Sequence, residues 1–243
     1  LRVPEGVLMF VLEPPKDSYG NAFGREAEGK PEEAKAQKDK QMEQKEESLV
    51  NWEEKTEIEL LALVYSYACN GLRVGKSKLA RDWLKDRQLS MDLTMACFNS
   101  GQLHHRKAPE FKKSLERIGF MKESVRGSNC DSIAYAMFGI FSVMFPLRNP
   151  EKEIVNFYAV GLRNGKTAHL NHKGLYPGYP HEKTSRLYVT DNAVDAATIL
   201  ECRLLENRDA VIALHDGIVL DHHLEVIRGL KELKEIIQVT KTK

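Results

Sequence analysis

The chain has no apolar run approaching the ~20 residues that a membrane-spanning helix requires, which argues against a membrane protein of the helical kind. Its opening, Leu1 to Pro15, is apolar but short. It has neither a basic leader nor a small-residue cleavage site, so it does not read as a secretory signal. The four cysteines, Cys69, Cys97, Cys130 and Cys202, lie far apart, and none forms a CxxC or CxxH pair. That spacing supports neither a disulfide framework nor a zinc finger, and scattered free thiols fit a reducing cytoplasm. A dominant sign of charge is lacking as well: the net charge is +1 over 243 residues. No global basic field draws nucleic acid in, so any such binding must come from local patches. The chain opens on Leu1 without an initiator Met, as expected of a fragment.

What is present suffices for one large domain or two small ones, with an ordinary apolar fraction of 42%. Residues 14–30 are rich in turn formers. Residues 31–56 are dense in Glu, Lys and Gln with almost no apolar face, and read as a disordered spacer or a solvated helix held by Glu–Lys pairs. Order is expected from Thr56. Ile58, Leu60, Leu61, Val64 and Tyr67 predict a helix that Gly71 ends. Ser77 is placed as the cap of a second helix, Ser90 as the start of a third, and Phe111, Leu115 and Ile118 on a fourth that closes near Gly119. From Ile133 the period changes toward strands, including IFSVMFPL and EIVNFYAVGL. The C-terminal part reads as strand 187–190, helix 193–204, strand 209–214, helix 221–233 and strand 236–239. This βαβαβ order predicts a parallel sheet and an α/β fold class. The final strand is expected to be an exposed sheet edge open to pairing.

Two acids stand out, Asp191 and Asp195 in LYVTDNAVDAATIL. An acid at the C-terminal end of a parallel strand sits where open α/β sheets bind ligands. The alternative is structural: Asp191 or Asn192 caps the helix and Asp195 complements its dipole.

Several segments carry a resemblance when taken in order. They are ARDWLKDRQLSMDLTMACFNSGQL, the strand ending Phe145-Pro146-Leu147, the run KGLYPGYP, the acids above, and AVIALHDGIVL with its turn at Gly217. Over roughly residues 78–239 this order resembles the catalytic core of bacterial DnaG-type primases, with a likeness to TOPRIM proteins of mobile elements. In that core a helical and strand-rich subdomain leads into a TOPRIM fold. The resemblance implies an irregular charged segment 1–55, a primase-core-like subdomain 56–185 and a partial TOPRIM-like βαβαβ domain 186–243. It also implies Asp191 and Asp195 as catalytic and metal residues, Mg²⁺ as cofactor, and RNA-primer synthesis on single-stranded DNA in replication or mobile-element maintenance. Three departures are plain. Asp191 stands where the family has Glu, which withdraws the carboxylate by ~1.5 Å. Gln88 replaces a Gly. The final strand is followed by Thr240-Lys241-Thr242-Lys243, where the family has a DxD pair. The expectation is therefore a catalytically defective primase-like protein, or one completed by other sequence. The alternatives are a non-catalytic nucleic-acid- or protein-interaction module and, less favoured, a TOPRIM nuclease.

Single-stranded DNA or an RNA/DNA strand is the expected ligand, alongside a replication or mobile-element partner protein, with no membrane and a cytoplasmic location. The proposed contacts are Arg106, Lys107, Arg148, Arg163, Lys166, His169 and Lys173, with His104, His105, Lys112, Lys113 and His172 as neighbours. Lys and Arg neutralise phosphates, and the loop GLRNGKTAHLNHKGLY mixes them with glycines, amides and an aromatic. The competing reading is a solvated loop. Three other motifs are set aside. Asn70 to Ser77 nearly spells a P-loop but lacks its first Gly and follows a helix. Asp221-His222-His223 reads as a helix capped by Asp221. His169-x-x-His172 has no third ligand nearby in sequence, so exposed loop histidines are expected.

Overall fold

A computed structural model describes residues 51–73, 77–105, 108–124 and 134–240. The expectations for residues 1–50, Cys130, Arg106 and Lys107 fall outside these. Helix α1 (Glu57–Arg73) starts where the sequence places it. Thr56 Oγ1 accepts the Glu59 N–H at 3.2 Å while the Glu59 carboxylate accepts the Thr56 N–H at 2.7 Å, a reciprocal box that satisfies two end donors. That backbone hydrogen bond holds the Glu59 carboxyl below its ordinary range. The helix runs through Gly71 instead of ending there. Gly71 serves close packing: a Cβ on it would lie 3.1 Å from the Phe98 carbonyl.

Helices α2 (Lys78–Asp86), α3 (Met91–Thr94) and α4 (Pro109–Arg117) follow. Ser77 stands at the start of α2 without capping it. Its hydroxyl donates back to the Leu72 carbonyl at 2.7 Å and accepts from Arg81 at 2.9 Å, so it ties α2 to the end of α1. Ser90 does cap α3, accepting the Leu93 N–H at 3.4 Å. Helices α2 and α4 close with the same motif. Gly119 (φ +72°) bonds back to Glu116, and Phe120 to Leu115; Gln88 (φ +55°) bonds back to Lys85, and Leu89 to Leu84. The left-handed position suits Gly and strains Gln by ~1 kcal/mol or more. Gln88→Gly is therefore expected to raise unfolding stability by ~1 kcal/mol, read from the shift of a urea midpoint at constant slope; a lowered midpoint would contradict this.

Strands β1 (Cys97–Asn99), β4 (Ser142–Arg148), β5 (Ile154–Gly161) and β6 (Thr167–His169) form an antiparallel sheet in the order β1-β4-β5-β6, and β2 (Met121–Ser124) pairs with β3 (Ala134–Met137). Pro146 lies inside β4, yet β1 pairs only with Ser142–Met144. Its missing N–H falls beyond the end of β1 and breaks no ladder bond. Side chains of β4 alternate between two cores, as period-2 geometry demands. Met144 packs with Leu60, Leu61, Phe111 and Phe157; Val143, Phe145 and Leu147 pack with Tyr158, Tyr176, Ala196 and Ala197.

The C-terminal part is a parallel sheet in the order β8-β7-β9, built from β7 (Arg186–Thr190), α5 (Ala193–Glu201), β8 (Asp209–Ala213), α6 (Asp221–Gly229) and β9 (Glu235–Val239). The βαβαβ order and α/β class match the sequence expectation, although α5 and α6 are each shorter at the C-terminal end. Strand β7 is central, and β9 forms an edge with Ile236 51% exposed. Thr190 pairs with both Ala213 and Val239. All three strands therefore end at one level, and the residues following them share one rim.

Candidate functional site at the rim of the parallel sheet

The residues at this rim are Asp191 and Asn192 after β7, Leu214 to Gly217 after β8, and Thr240 after β9. Asn192 is the cap of α5: its side-chain oxygen accepts the N–H groups of Val194 (3.0 Å) and Asp195 (3.1 Å). Its amide donates to the Asp195 carboxylate at 2.8 Å. Asp195 thus sits in the first turn, where negative charge is favoured. Asp191 is partly exposed at the strand end, and its carbonyl accepts the Gly217 N–H at 2.8 Å. The β7 and β8 termini are therefore joined backbone to backbone. Gly217 has φ +82°, and a Cβ on it would stand 3.9 Å from Asp191 Oδ1.

A third rim acid is Asp216. It accepts the Tyr158 hydroxyl at 3.0 Å on one oxygen and the Thr167 hydroxyl at 3.0 Å on the other. These bonds lock the β8 turn to strands β5 and β6. Burial first, and then Asp216, push the Tyr158 hydroxyl far above the ordinary tyrosine range, so it stays protonated and donates. Sequence reasoning left Asp216 unread. The signal available was an acid before a Gly directly after a buried strand.

The acids fit a catalytic Mg²⁺ poorly. That ion prefers octahedral oxygen ligands, with carboxylates supplemented by water and substrate phosphate. Among the described residues, no three carboxylates converge closely enough to hold one ion. Asp195 is engaged by Asn192, and the residue after β9 is Thr240.

The described basic candidates each have their own local contacts. Arg148 donates to the Lys152 carbonyl at 2.6 Å and lies against Met95. With Met95, Tyr179, Leu200 and Leu205 it lines a cleft of about 400 Å³. Arg163 stacks over the Phe141 ring at 4.2 Å, and Lys166 is exposed in the β5–β6 turn. Lys173 is exposed and pairs with Glu57 at 3.4 Å. Exposed pairs of this kind contribute roughly 0–1 kcal/mol, so Lys173 remains available to a stronger anion. His169 differs from expectation most. It is half-buried at the end of β6 and stacks on His215, with ring centroids 3.8 Å apart and planes 5° apart. Burial pulls it down to about 4, so it is neutral near pH 7 and brings no positive charge to a phosphate. Asp221 is not the cap of α6 either. That position belongs to Leu220, and Asp221 lies in the first turn.

No protein-family model matches the chain, and no curated protein matches it. Solved structures do. A DNA primase domain from Pseudomonas aeruginosa is similar with a TM-score of 0.60 at 17% identity, over 75% of this chain and 60% of that one. A DnaG primase catalytic domain bound to single-stranded DNA gives 0.57 at 18% identity, over 75% and 60%. The RNA polymerase domain of Mycobacterium tuberculosis DnaG, in complex with double-stranded DNA, gives 0.56 at 14%, over 77% and 64%. The fold is thus that of the DnaG primase catalytic core. The chain spans about 60% of the length of the first two of these structures.

Proposed function

We propose that this chain is a primase-like nucleic-acid module of a replication or mobile-element protein, binding single strands without making primers unaided. The observation that carries this reading is the extent of the fold match: three quarters of the chain follows DnaG catalytic cores. By the resemblance, Asp191, directly after β7, and Asp195, in the first turn of α5, stand for the family's metal acids. Their donor set, with Asp for Glu and Thr240 directly after β9, argues against polymerisation by this chain alone. Single-strand binding then rests on exposed cations of the β5–β6 region, chiefly Lys166 and Lys173, that meet phosphates while the sheet provides a rigid base.

Fluorescence anisotropy with a labelled oligothymidylate tests this. Binding is expected to weaken steeply with salt. Lys166→Glu combined with Lys173→Glu is expected to reduce the log–log salt slope by about 1.4, roughly 0.7 for each single-strand phosphate that is no longer neutralised. Absence of binding at low salt would remove the reading and favour a protein-interaction module instead. The feature on which that second reading stands is β9, an edge strand of the sheet among the described residues, with an exposed Ile236.

A further inference from the structure

Five histidines from two distant parts of the chain meet beside the rim. His215 follows β8 in a tight turn, bonded both ways to Ile218 (3.2 and 3.0 Å). His222 and His223 lie in the first turn of α6. His169 comes from β6, and His172 from the loop after it. The ring of His215 lies 5.8 Å from His222, 5.6 Å from His223 and 5.8 Å from His172. Ligand atoms of His215, His222 and His223 all fall within 4.8 Å of one another.

The hydrogen bonding of this cluster is incomplete. His215 is only 4% exposed, and neither of its ring nitrogens has a partner, nor does Nε2 of His222; the fully buried His223 lies by the Ala213 backbone without a well-formed hydrogen bond on Nε2. A buried polar atom without a partner is rare and calls for a cause. A packing role alone does not supply one, because an apolar residue would fill the same space without the desolvation cost.

We propose that His215, His222 and His223 form a binding site for one divalent transition-metal ion of the zinc class. Three imidazoles with an open fourth position match the coordination habit of such ions. Zn–N bonds of about 2.0–2.1 Å place nitrogens ~3.4 Å apart, so side-chain adjustments of about an ångström close the triad. Neutral rings favour ligation. Burial pulls His215 down to about 3 and His223 to about 4, and lowers His222. All three rings are therefore neutral near pH 7, as metal binding needs. Asp221 and Glu225 lie close enough to His222 to favour positive charge there, which offsets part of the ion's own. His223 Nδ1 accepts the Leu220 N–H at 2.9 Å, so its free nitrogen is the protonated Nε2. Ligation by His223 exchanges that one cap bond for a coordination bond, with the proton moving to Nδ1. The ligand set shares no residue with Asp191 and Asp195 and does not depend on the function proposed above. An ion here would pin the β8 turn to α6 and so fix the rim that carries Asp216 and Gly217.

The test uses the untagged full chain, stripped with EDTA and titrated near neutral pH with Zn²⁺ by calorimetry and with Co²⁺ by visible absorbance. One ion per chain is expected, with the d–d bands of a four-coordinate nitrogen site. His215→Asn, and separately His222→Ala at the half-buried edge of the cluster, are each expected to weaken binding by about 100-fold or more. Asp191→Asn is expected to leave affinity unchanged. His222→Ala keeps the test decisive if the buried His215 variant fails to fold, as judged by circular dichroism. No saturation at about tenfold excess of Zn²⁺, or equal affinity in the folded histidine variants, overturns the proposal. So does displacement by millimolar Mg²⁺, which would assign the ion to carboxylates instead.

Discussion

Tyr176→Ala is expected to lower unfolding stability by about 3–5 kcal/mol, a large share of the ~5–15 kcal/mol that holds a typical domain together. Tyr176 is fully buried, in the run KGLYPGYP, between elements distant in sequence. Its ring meets Phe145 of β4 edge-on at 5.4 Å. Its hydroxyl donates to the Thr94 carbonyl at the end of α3, at 2.8 Å, and its own carbonyl accepts the Ala213 N–H at the end of β8, at 3.0 Å. One residue thus links a helix, the antiparallel sheet and the parallel sheet. Tyr176→Phe separates the two contributions. It keeps the ring and removes the hydroxyl, leaving the buried Thr94 carbonyl without that donor, at a cost of about 1–3 kcal/mol. Urea unfolding at matched slope reads both. A Tyr176→Ala loss below ~1 kcal/mol would show that the site collapses around the deletion and that the elements are held together elsewhere.

The C-terminal βαβαβ unit was legible because its signals are local. Apolar runs such as LYVT and AVIAL alternate with amphipathic stretches, and helical crossovers between such strands call for a parallel sheet, although the order β8-β7-β9 could not be read from them. The helix starts near Thr56 and at Ser90 were equally plain. Sequence misleads where a residue of a familiar type serves a distant partner. Ser77 holds the end of α1 instead of capping α2, and Gly71 sits inside a helix because Phe98 passes close by. At the rim, a carboxylate next to a strand end could be read, but its partners could not. Nothing adjacent to Asp216 foretells Tyr158 and Thr167, which arrive from another sheet. The histidines are the clearest case. His169-x-x-His172 has no third ligand in its own stretch of sequence, and Asp221-His222-His223 looks like a helix start. Only the fold brings the two motifs to His215.

Gly174→Ala is the other substitution with a large expected effect, and its cause is geometric. Gly174 has φ +76°, and a Cβ there would lie 2.6 Å from Val155 Cγ2, 3.0 Å from the Arg148 carbonyl oxygen and 3.2 Å from the Arg148 nitrogen. Val155 can turn aside, but the Arg148 backbone cannot. Arg148 N–H donates to the Leu175 carbonyl and Leu175 N–H to the Arg148 carbonyl, both at 2.9 Å, so moving one strand breaks a closed pair. The left-handed backbone costs a side chain about 1–2 kcal/mol, and overlap in a packed site adds about 1–3 kcal/mol. The expected loss is therefore about 2–5 kcal/mol. Gly165→Ala supplies the comparison. Gly165 also has positive φ, +65°, but nothing lies within 4 Å of its added Cβ, so it carries only the conformational cost. A urea series on the two variants should place Gly174→Ala at least ~1 kcal/mol below Gly165→Ala. Equal losses would mean that the Arg148–Leu175 pair yields to the methyl group, and that the loop running from β6 to Tyr176 is held by its other bonds, such as those of Asn156 to Asn171 and Lys173.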